Sequence, residues 1–458
     1  MEEGAINPDS TVCHVVAMPY PGRGHINPLM NLCKLLVSRK PNNFIVTFIV
    51  TDEWLGYIAS DPKPDSIRFA TIPNILPSEN VRALDFPAFY ESVMTKLEAP
   101  FDHLLRHLHP PVTAMISDVE LLWAIELGNR RNIPVATLST MSATFFSMLY
   151  HLHLFAQDVQ SSPVNLLVEN ADYIPGISSS DLAELQTMFL KYDLRVIQLL
   201  LECISKVEKA QYLLFTSVYE LEGKQVETLK PILPIPIYLV GPSIPYLELE
   251  ANDGHSSPDY QQWLDSQPQG SVLYISMGSF LSVSTNQMDE IVAGIQESGV
   301  RYLWIARGET SRLKEISNGD KGLVLPWCDQ LKVLCHSSVG GFWTHCGWNS
   351  TLEAVFAGVP LLTFPLFLDQ FSNSKQILDI WRTGSKVQGL IGEENLVTRE
   401  EIAQLVQKFM DLESSETKEL RQRARAIRDI CQQAIALGGS SATNVDTFIR
   451  NITRRNCP

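Results

Sequence analysis

The feature that most restricts the fold is a rhythm: a short, nearly continuous apolar run, a turn-rich loop, then an amphipathic helix. Cys13-His14-Val15-Val16-Ala17-Met18 is the first apolar run, and Pro19-Tyr20-Pro21-Gly22-Arg23-Gly24 ends it. A helix is expected to begin near Asn27-Pro28, since Asn caps well and Pro suits the first helical position. Leu29, Leu32, Cys33, Leu35 and Leu36 supply its apolar face. Phe44 to Val50 reads as the next strand, with further β runs at Ala114-Met115-Ile116 and Tyr212-Leu213-Leu214-Phe215. Apolar strands of this kind, alternating with helices, predict a parallel sheet covered on both faces.

Residues 231–262 break the rhythm with Pro231, Pro234, Pro236, Pro242, Pro245 and Pro258 and the polar run Asn252 to Ser257. This reads as an interdomain linker. The pattern then restarts with a strand at Ser271–Ser276, a loop at Met277-Gly278-Ser279, helical character from Thr285 to Gly299, and a strand at Tyr302–Ala306. A chain of 458 residues has room for two or three domains. The expected boundaries are an N-terminal domain over 1–240, a linker over 241–262 and a C-terminal domain over 263–442, with a last helix at about 443–458 returning to the first domain. Ligands of open α/β sheets bind outside the C-terminal strand ends. The loops at 19–27 and 276–285 leave such ends, so a cleft between two facing domains is the expected site.

The net charge of −15, from 36 basic and 51 acidic residues, argues against a nucleic-acid partner and against adhesion to an anionic membrane. An anionic small ligand remains compatible, because helix N-termini supply local positive potential. The acidic N-terminus lacks a targeting pattern, and the longest apolar run, Val359 to Leu368, is ten residues interrupted by two prolines. The eight cysteines contain no C-x-x-C pair and suggest reduced thiols in a cytoplasmic protein. Asn451-Ile452-Thr453 matches a glycosylation acceptor but carries little weight without a secretion signal.

The densest signal spans Trp327 to Gln370. It reads Trp327-Cys328-Asp329-Gln330, His336, Gly341-Phe342, His345-Cys346-Gly347-Trp348-Asn349-Ser350, Glu353, Gly358-Val359-Pro360, Pro365 and Asp369-Gln370. From first Trp to last Gln this resembles the 44-residue signature box of the plant secondary-product UDP-glycosyltransferases, family 1 of the glycosyltransferases. Weaker likenesses run along the chain: the Pro-Gly-x-Gly-His loop, Tyr173-Ile174-Pro175-Gly176, Tyr219-Glu220-Leu221-Glu222, Val240-Gly241-Pro242, Ser276-Met277-Gly278-Ser279 and Gly438-Gly439-Ser440-Ser441. The resemblance implies the α/β GT-B fold of two facing, doubly wound Rossmann-like domains, with acceptor on the N-terminal half and donor on the C-terminal half. It implies Trp327 stacked on uracil, the backbone around Cys328 and Gln330 on uracil and ribose, Glu353 on ribose, and Asn349 and Ser350 on phosphate. Asp369 and Gln370 would hold the sugar; Ser279, Gly347 and Trp348 would complete the donor site. The family usually has Pro where this chain has Asp329, a change that removes a stiffening constraint and adds negative charge near an anionic donor.

The residues also make chemical sense alone. The 345–350 segment leads into an expected helix from Thr351 to Phe356, whose amides suit a diphosphate. His345 beside it can donate to a phosphate oxygen and stabilise the departing nucleoside diphosphate. Ser350-Thr351-Leu352-Glu353 is also a capping-box pattern, so Glu353 reads as a cap, a ribose ligand or both. Trp327 and Trp348 could also be core aromatics, but stacking is the favoured reading for Trp327 and a backbone and wall role for Trp348.

His25, in the Gly-rich loop, has the near-neutral pKa suited to a general base. Asp118, at a strand end, is its expected partner, fixing the tautomer and stabilising the imidazolium. The resemblance matches a His–Asp dyad to both positions and Thr140 to one that touches the transferred sugar. No Asp-x-Asp pair occurs, so no metal is expected, and no cofactor, the UDP-sugar being a co-substrate. The resulting expectation is a monomer that transfers a sugar, glucose by the resemblance at Gln370, with inversion to a hydroxyl or carboxyl of a small lipophilic acceptor such as a phenol, terpenoid or hormone. The rivals are a non-catalytic UDP-sugar-binding protein and a dinucleotide oxidoreductase; against the latter, Asn27 stands where the third glycine of G-x-G-x-x-G would be.

Overall fold

The computed structural model describes residues 12–40, 44–79, 82, 84–168, 173–189, 193–249, 259–278, 283–306, 321–387 and 396–454. Ser279 lies outside the described residues. The chain divides into two compact units, one formed by Met1–Ser243 with Ala434–Pro458, the other by Ile244–Gln433.

The first unit is built on β1 (Cys13–Met18), β2 (Phe44–Thr51), β3 (Ile67–Ile72), β4 (Ala114–Asp118), β5 (Val135–Ser139), β6 (Tyr212–Phe215) and β7 (Ile237–Leu239). They form one sheet in the order β3-β2-β1-β4-β5-β6-β7, with every pairing parallel. The second unit carries β8 (Val272–Ser276), β9 (Arg301–Ile305), β10 (Gly322–Leu325), β11 (Val339–Thr344), β12 (Leu361–Thr363) and β13 (Gly384–Lys386). Their order, β10-β9-β8-β11-β12-β13, is again wholly parallel. Counted within each unit, both sheets begin 3-2-1-4-5-6, the doubly wound Rossmann order. The direction of winding reverses between β1 and β4, and between β8 and β11. Every residue of β1, β4, β8 and β11 is buried, as expected of central strands covered on both faces. The two-domain parallel α/β class expected from the strand rhythm is therefore observed.

Several local expectations are corrected. The first helix runs from Arg23 to Arg39, not from Asn27. Gly22 caps it, its carbonyl accepting from the N–H groups of His25 and Ile26 at 3.0 and 2.9 Å, and Pro28 falls in the second turn. His25 thus stands in the first turn of a helix and not in a loop. Three further helices of the first unit are Phe86–Lys96, Ala143–Asp158 and Ser179–Phe189. Asp85 and Ser142 cap the first two through Ala88 N and Phe145 N. The proline-rich stretch contains β7, an edge strand, where proline neighbours are tolerated.

The last helix, Ser440–Arg454, packs on the first unit. Val445, Phe448, Ile449 and Ile452 join the core of Val15, Ala17, Leu36 and Phe48. Asn444 Nδ2 donates to Leu239 O at 3.0 Å, and Asn451 Nδ2 to Tyr238 Oη at 2.7 Å. The amide of the apparent glycosylation acceptor is thus engaged in packing. Among the described residues no helix is long and apolar enough to cross a membrane.

Candidate active site

In each unit the candidate residues gather where the winding reverses, at the C-terminal strand ends, the place ligands occupy in open α/β sheets. In the first unit, β1 feeds the helix that carries His25, and β4 ends on Asp118. Asp118 is 1% exposed, and its Oδ2 accepts from His25 Nδ1 at 2.8 Å. Its Oδ1 accepts from Glu120 N at 3.0 Å, which fixes the carboxylate plane. Thr140, just past β5, places Oγ1 2.9 Å from the same His25 nitrogen. Tyr20 lies against the imidazole, ring centroids 4.9 Å apart. Burial by itself lowers the His25 pKa, but the charge of Asp118, its hydrogen bond and the charge of Glu120 outweigh that and hold the imidazolium up to about 9.

Glu120 carried no signal in the sequence beyond its place two residues after Asp118. Among the described residues, His25, Asp118 and Glu120 are the one group whose ligand atoms, all within 4.8 Å, would fit a cation. Two hydrogen bonds already commit Asp118, so the group reads as a charge cluster around the imidazole. Glu222, from the Tyr-Glu-Leu-Glu motif, is fully buried and accepts from Ala143 N and Thr144 N at 3.1 and 3.0 Å. A carboxylate at a helix N-terminus suits the dipole, and here it seats the helix that follows Thr140.

In the second unit, β11 runs into His345-Cys346-Gly347 and a helix over Trp348–Ala357. The helix opens three residues earlier than expected because Gly347 is its cap. The first-turn amides are therefore those of Trp348, Asn349 and Ser350, and the capping-box reading of Ser350 and Glu353 is overturned. Glu353 instead accepts from Gln330 Nε2, which also donates to Ser350 Oγ at 2.9 Å, while Tyr274 Oη donates to Gln330 Oε1 at 3.0 Å. Tyr274, on β8, is a member of this cluster that the sequence reading missed. Burial lifts the Glu353 carboxyl to about 7.

His345 seats its ring against Gly278, whose φ of +85° and lack of a side chain are both required: a Cβ there would stand 2.6 Å from Nε2. Burial lowers the His345 pKa to about 4, so the ring is neutral at pH 7, and its Nδ1 is buried with no hydrogen-bond partner. Trp327 is 59% exposed, available for stacking and not a core residue. Trp348 is buried against Trp381 and forms wall. Cys328 is buried, its Sγ 3.5 Å from Tyr274 Oη. Asp329 caps the short helix Gln330–Leu334, accepting from Lys332 N at 3.2 Å, and pairs with Lys332 Nζ at 3.5 Å. Asp369 and Gln370 open the helix Gln370–Lys375 after β12. Gln370 Oε1 accepts from Leu366 N and Phe367 N, both at 2.8 Å, so the side chain pins its own loop and keeps its amide nitrogen as a donor only.

Two doubly wound units, one with a carboxylate-held imidazole and one with an exposed tryptophan and a glycine-capped helix after its fourth strand, define a GT-B type nucleotide-sugar enzyme. The family model of UDP-glucoronosyl and UDP-glucosyl transferase matches residues 134–411. UDP-glycosyltransferase 87A2 of Arabidopsis thaliana is 51% identical over 98% of this chain and 99% of its own length. UDP-glycosyltransferase 87A1 of the same plant is also 51% identical, over 95% of this chain and all of its own. Among solved structures, Phytolacca americana UGT2 complexed with UDP-2fluoro-glucose and pterostilbene superposes with TM-score 0.78 at 27% identity, covering 96% of this chain and all of that one. The chain belongs to the plant UDP-glycosyltransferases, enzymes that move a sugar from a UDP-sugar to a small molecule. The oxidoreductase alternative is thereby set aside.

Proposed function

We propose that the protein transfers glucose from UDP-glucose, with inversion and without a metal, to a hydroxyl or carboxyl of a small lipophilic acceptor. The observation that carries the mechanism is the orientation of His25. Asp118 holds Nδ1, so Nε2 is the nitrogen left to take a proton. An acceptor O–H gives its proton to Nε2 as its oxygen attacks the anomeric carbon, and the bond from that carbon to the diphosphate oxygen breaks. The attack arrives opposite the leaving group, which inverts the centre. Asp118 stabilises the imidazolium that forms. The amides of Trp348, Asn349 and Ser350, with His345, receive the charge of the leaving UDP. Trp327 stacks on uracil, Glu353 and the backbone around Cys328 and Gln330 hold uracil and ribose, and Asp369 and Gln370 hold the sugar.

Gln370 supports glucose by a donor-only amide, which a sugar hydroxyl must meet with its lone pair. A hydroxyl turned the other way leaves that amide unpaired, at about 1–3 kcal/mol. A Polygonum tinctorium UDP-glucosyltransferase, capable of glucosylating indoxyl, is similar to this chain at 27% identity and TM-score 0.80, covering 96% of this chain and 99% of its own. With the pterostilbene complex it supports a flat lipophilic acceptor. The seven described cysteines are all free, in keeping with a reducing cytoplasm. The test is product analysis with a panel of phenols, terpenoids and hormones against UDP-glucose, UDP-galactose, UDP-xylose and UDP-glucuronate. The expected result is β-linked glucoside from the α-linked donor, with the highest kcat/KM for UDP-glucose; an α-linked product would overturn the single-displacement mechanism.

A further inference from the structure

We propose that Asn373 is a positioning residue that ties the sugar-holding Asp369 to the phosphate-facing turn at Cys346-Gly347, so that one side chain sets both. The proposal rests on the donor-site reading above. Asn373 lies one turn into the helix Gln370–Lys375 and is fully buried, at 0% exposed. Its Nδ2 donates to Cys346 O at 3.0 Å and to Asp369 Oδ2 at 2.8 Å. A primary amide nitrogen carries two hydrogens, so the two bonds use both of them.

Each arm constrains a group with work to do at the donor. Cys346 sits at φ +66°, in the left-handed region that a residue with a side chain occupies only when its surroundings hold it there. Two bonds hold its backbone: Cys346 N donates to Thr344 Oγ1 at 3.1 Å, and its carbonyl accepts from Asn373. Because the peptide is planar, fixing the Cys346 carbonyl turns the Gly347 N–H away from Asn373 and fixes the entry to the helix at Trp348. On the other arm, holding Oδ2 fixes the plane in which the Asp369 carboxylate can meet sugar hydroxyls. The loop before it is pinned by Gln370 Oε1. The sugar contact and the diphosphate contact are thus geared through one buried amide.

The experiment compares wild type, Asn373→Asp, Asn373→Ala, Asp369→Ala and the Asn373→Ala/Asp369→Ala double variant in kcat, donor KM, acceptor KM, UDP affinity by calorimetry and melting temperature. Asn373→Asp keeps the size but turns an acceptor toward a carbonyl and a carboxylate, so it remains informative if the Ala variant folds poorly. Both single Asn373 variants are expected to raise the donor KM roughly tenfold or more and to weaken UDP, with acceptor KM within about twofold of wild type. The double variant is expected to lose less than the product of the single losses, since the two residues share a bond. A lowered melting temperature with unchanged donor KM and UDP affinity would overturn the proposal and leave Asn373 a packing residue. Wild-type donor KM in Asp369→Ala would instead sink the sugar-site reading on which the proposal stands.

Discussion

His25 is held through one nitrogen and flanked by two carboxylates, and its measurable behaviour follows from that. Replacement by Ala should lower turnover about 10²- to 10⁴-fold, the usual worth of a positioned base, with UDP affinity nearly intact; near-normal turnover would remove it from the mechanism. The catalytic form is the deprotonated one, and the pKa is raised to about 9. The expected kcat/KM therefore climbs through neutrality, reaches half its plateau near pH 9 and levels above it. Asp118 and Glu120 raise that pKa, while Arg82 opposes them. Glu120→Gln removes one negative charge and should move the rising limb toward lower pH. A limb that stays in place in this variant would show that Glu120 does not act on the imidazole. His25 and Asp118 were legible because glycine-rich turn and strand end are both written in the chain. The charge of Glu120 and the hydrogen bonds of Tyr274 were not, since each depends on which strands lie side by side.

Elements were legible where apolar runs were long, and misplaced where a glycine carbonyl could start a helix early. Gly22 and Gly347 both did so, moving His25 and the 348–350 amides into first turns that composition had assigned to loops. The same scale explains Asp329. Its φ of −74° is one that proline would also adopt, but its side chain caps the helix Gln330–Leu334 and its charge is met by Lys332. The stiffness expected to be lost with the family's proline is replaced by a cap, and the added charge is paired. Asp329→Ala should cost about 0.5–2 kcal/mol in stability, as cap removal does, and raise the donor KM severalfold by loosening Trp327 and Gln330. Asp329→Pro, which restores the φ constraint and gives up the bond from Asp329 N to Tyr260 Oη, should keep the donor KM near wild type. Equal KM values in wild type and Asp329→Ala would show that the cap does not set the uracil loop.

Across the described residues the strand order repeats, and the core around Val15 and Phe48 shares no residue with the one around Leu273 and Trp343. In the donor site proposed above, helix amides and a neutral histidine meet the diphosphate charge, so a chelator should leave activity intact; activity lost and then restored by magnesium or manganese would reassign the His25, Asp118 and Glu120 group as a metal site. The chain's last helix returns to the first unit and closes its core. Phe448 is fully buried there, its ring 5.7 Å from Tyr212 and 6.1 Å from Tyr238. Phe448→Ala should cost roughly 3–5 kcal/mol, the range for emptying such a site. The second core, with Leu273, Ile291, Trp343 and Phe409, contains none of these residues. The loss should therefore fall on the first unit alone: its melting transition moves down, and UDP affinity below that transition stays at the wild-type value. Calorimetric melting of wild type and Phe448→Ala, with and without UDP, decides it. UDP should raise the transition of the second unit in both proteins, since a ligand stabilises the unit that binds it. A single transition that falls as one in Phe448→Ala, with UDP affinity lost alongside, would show that the two units fold as one cooperative body.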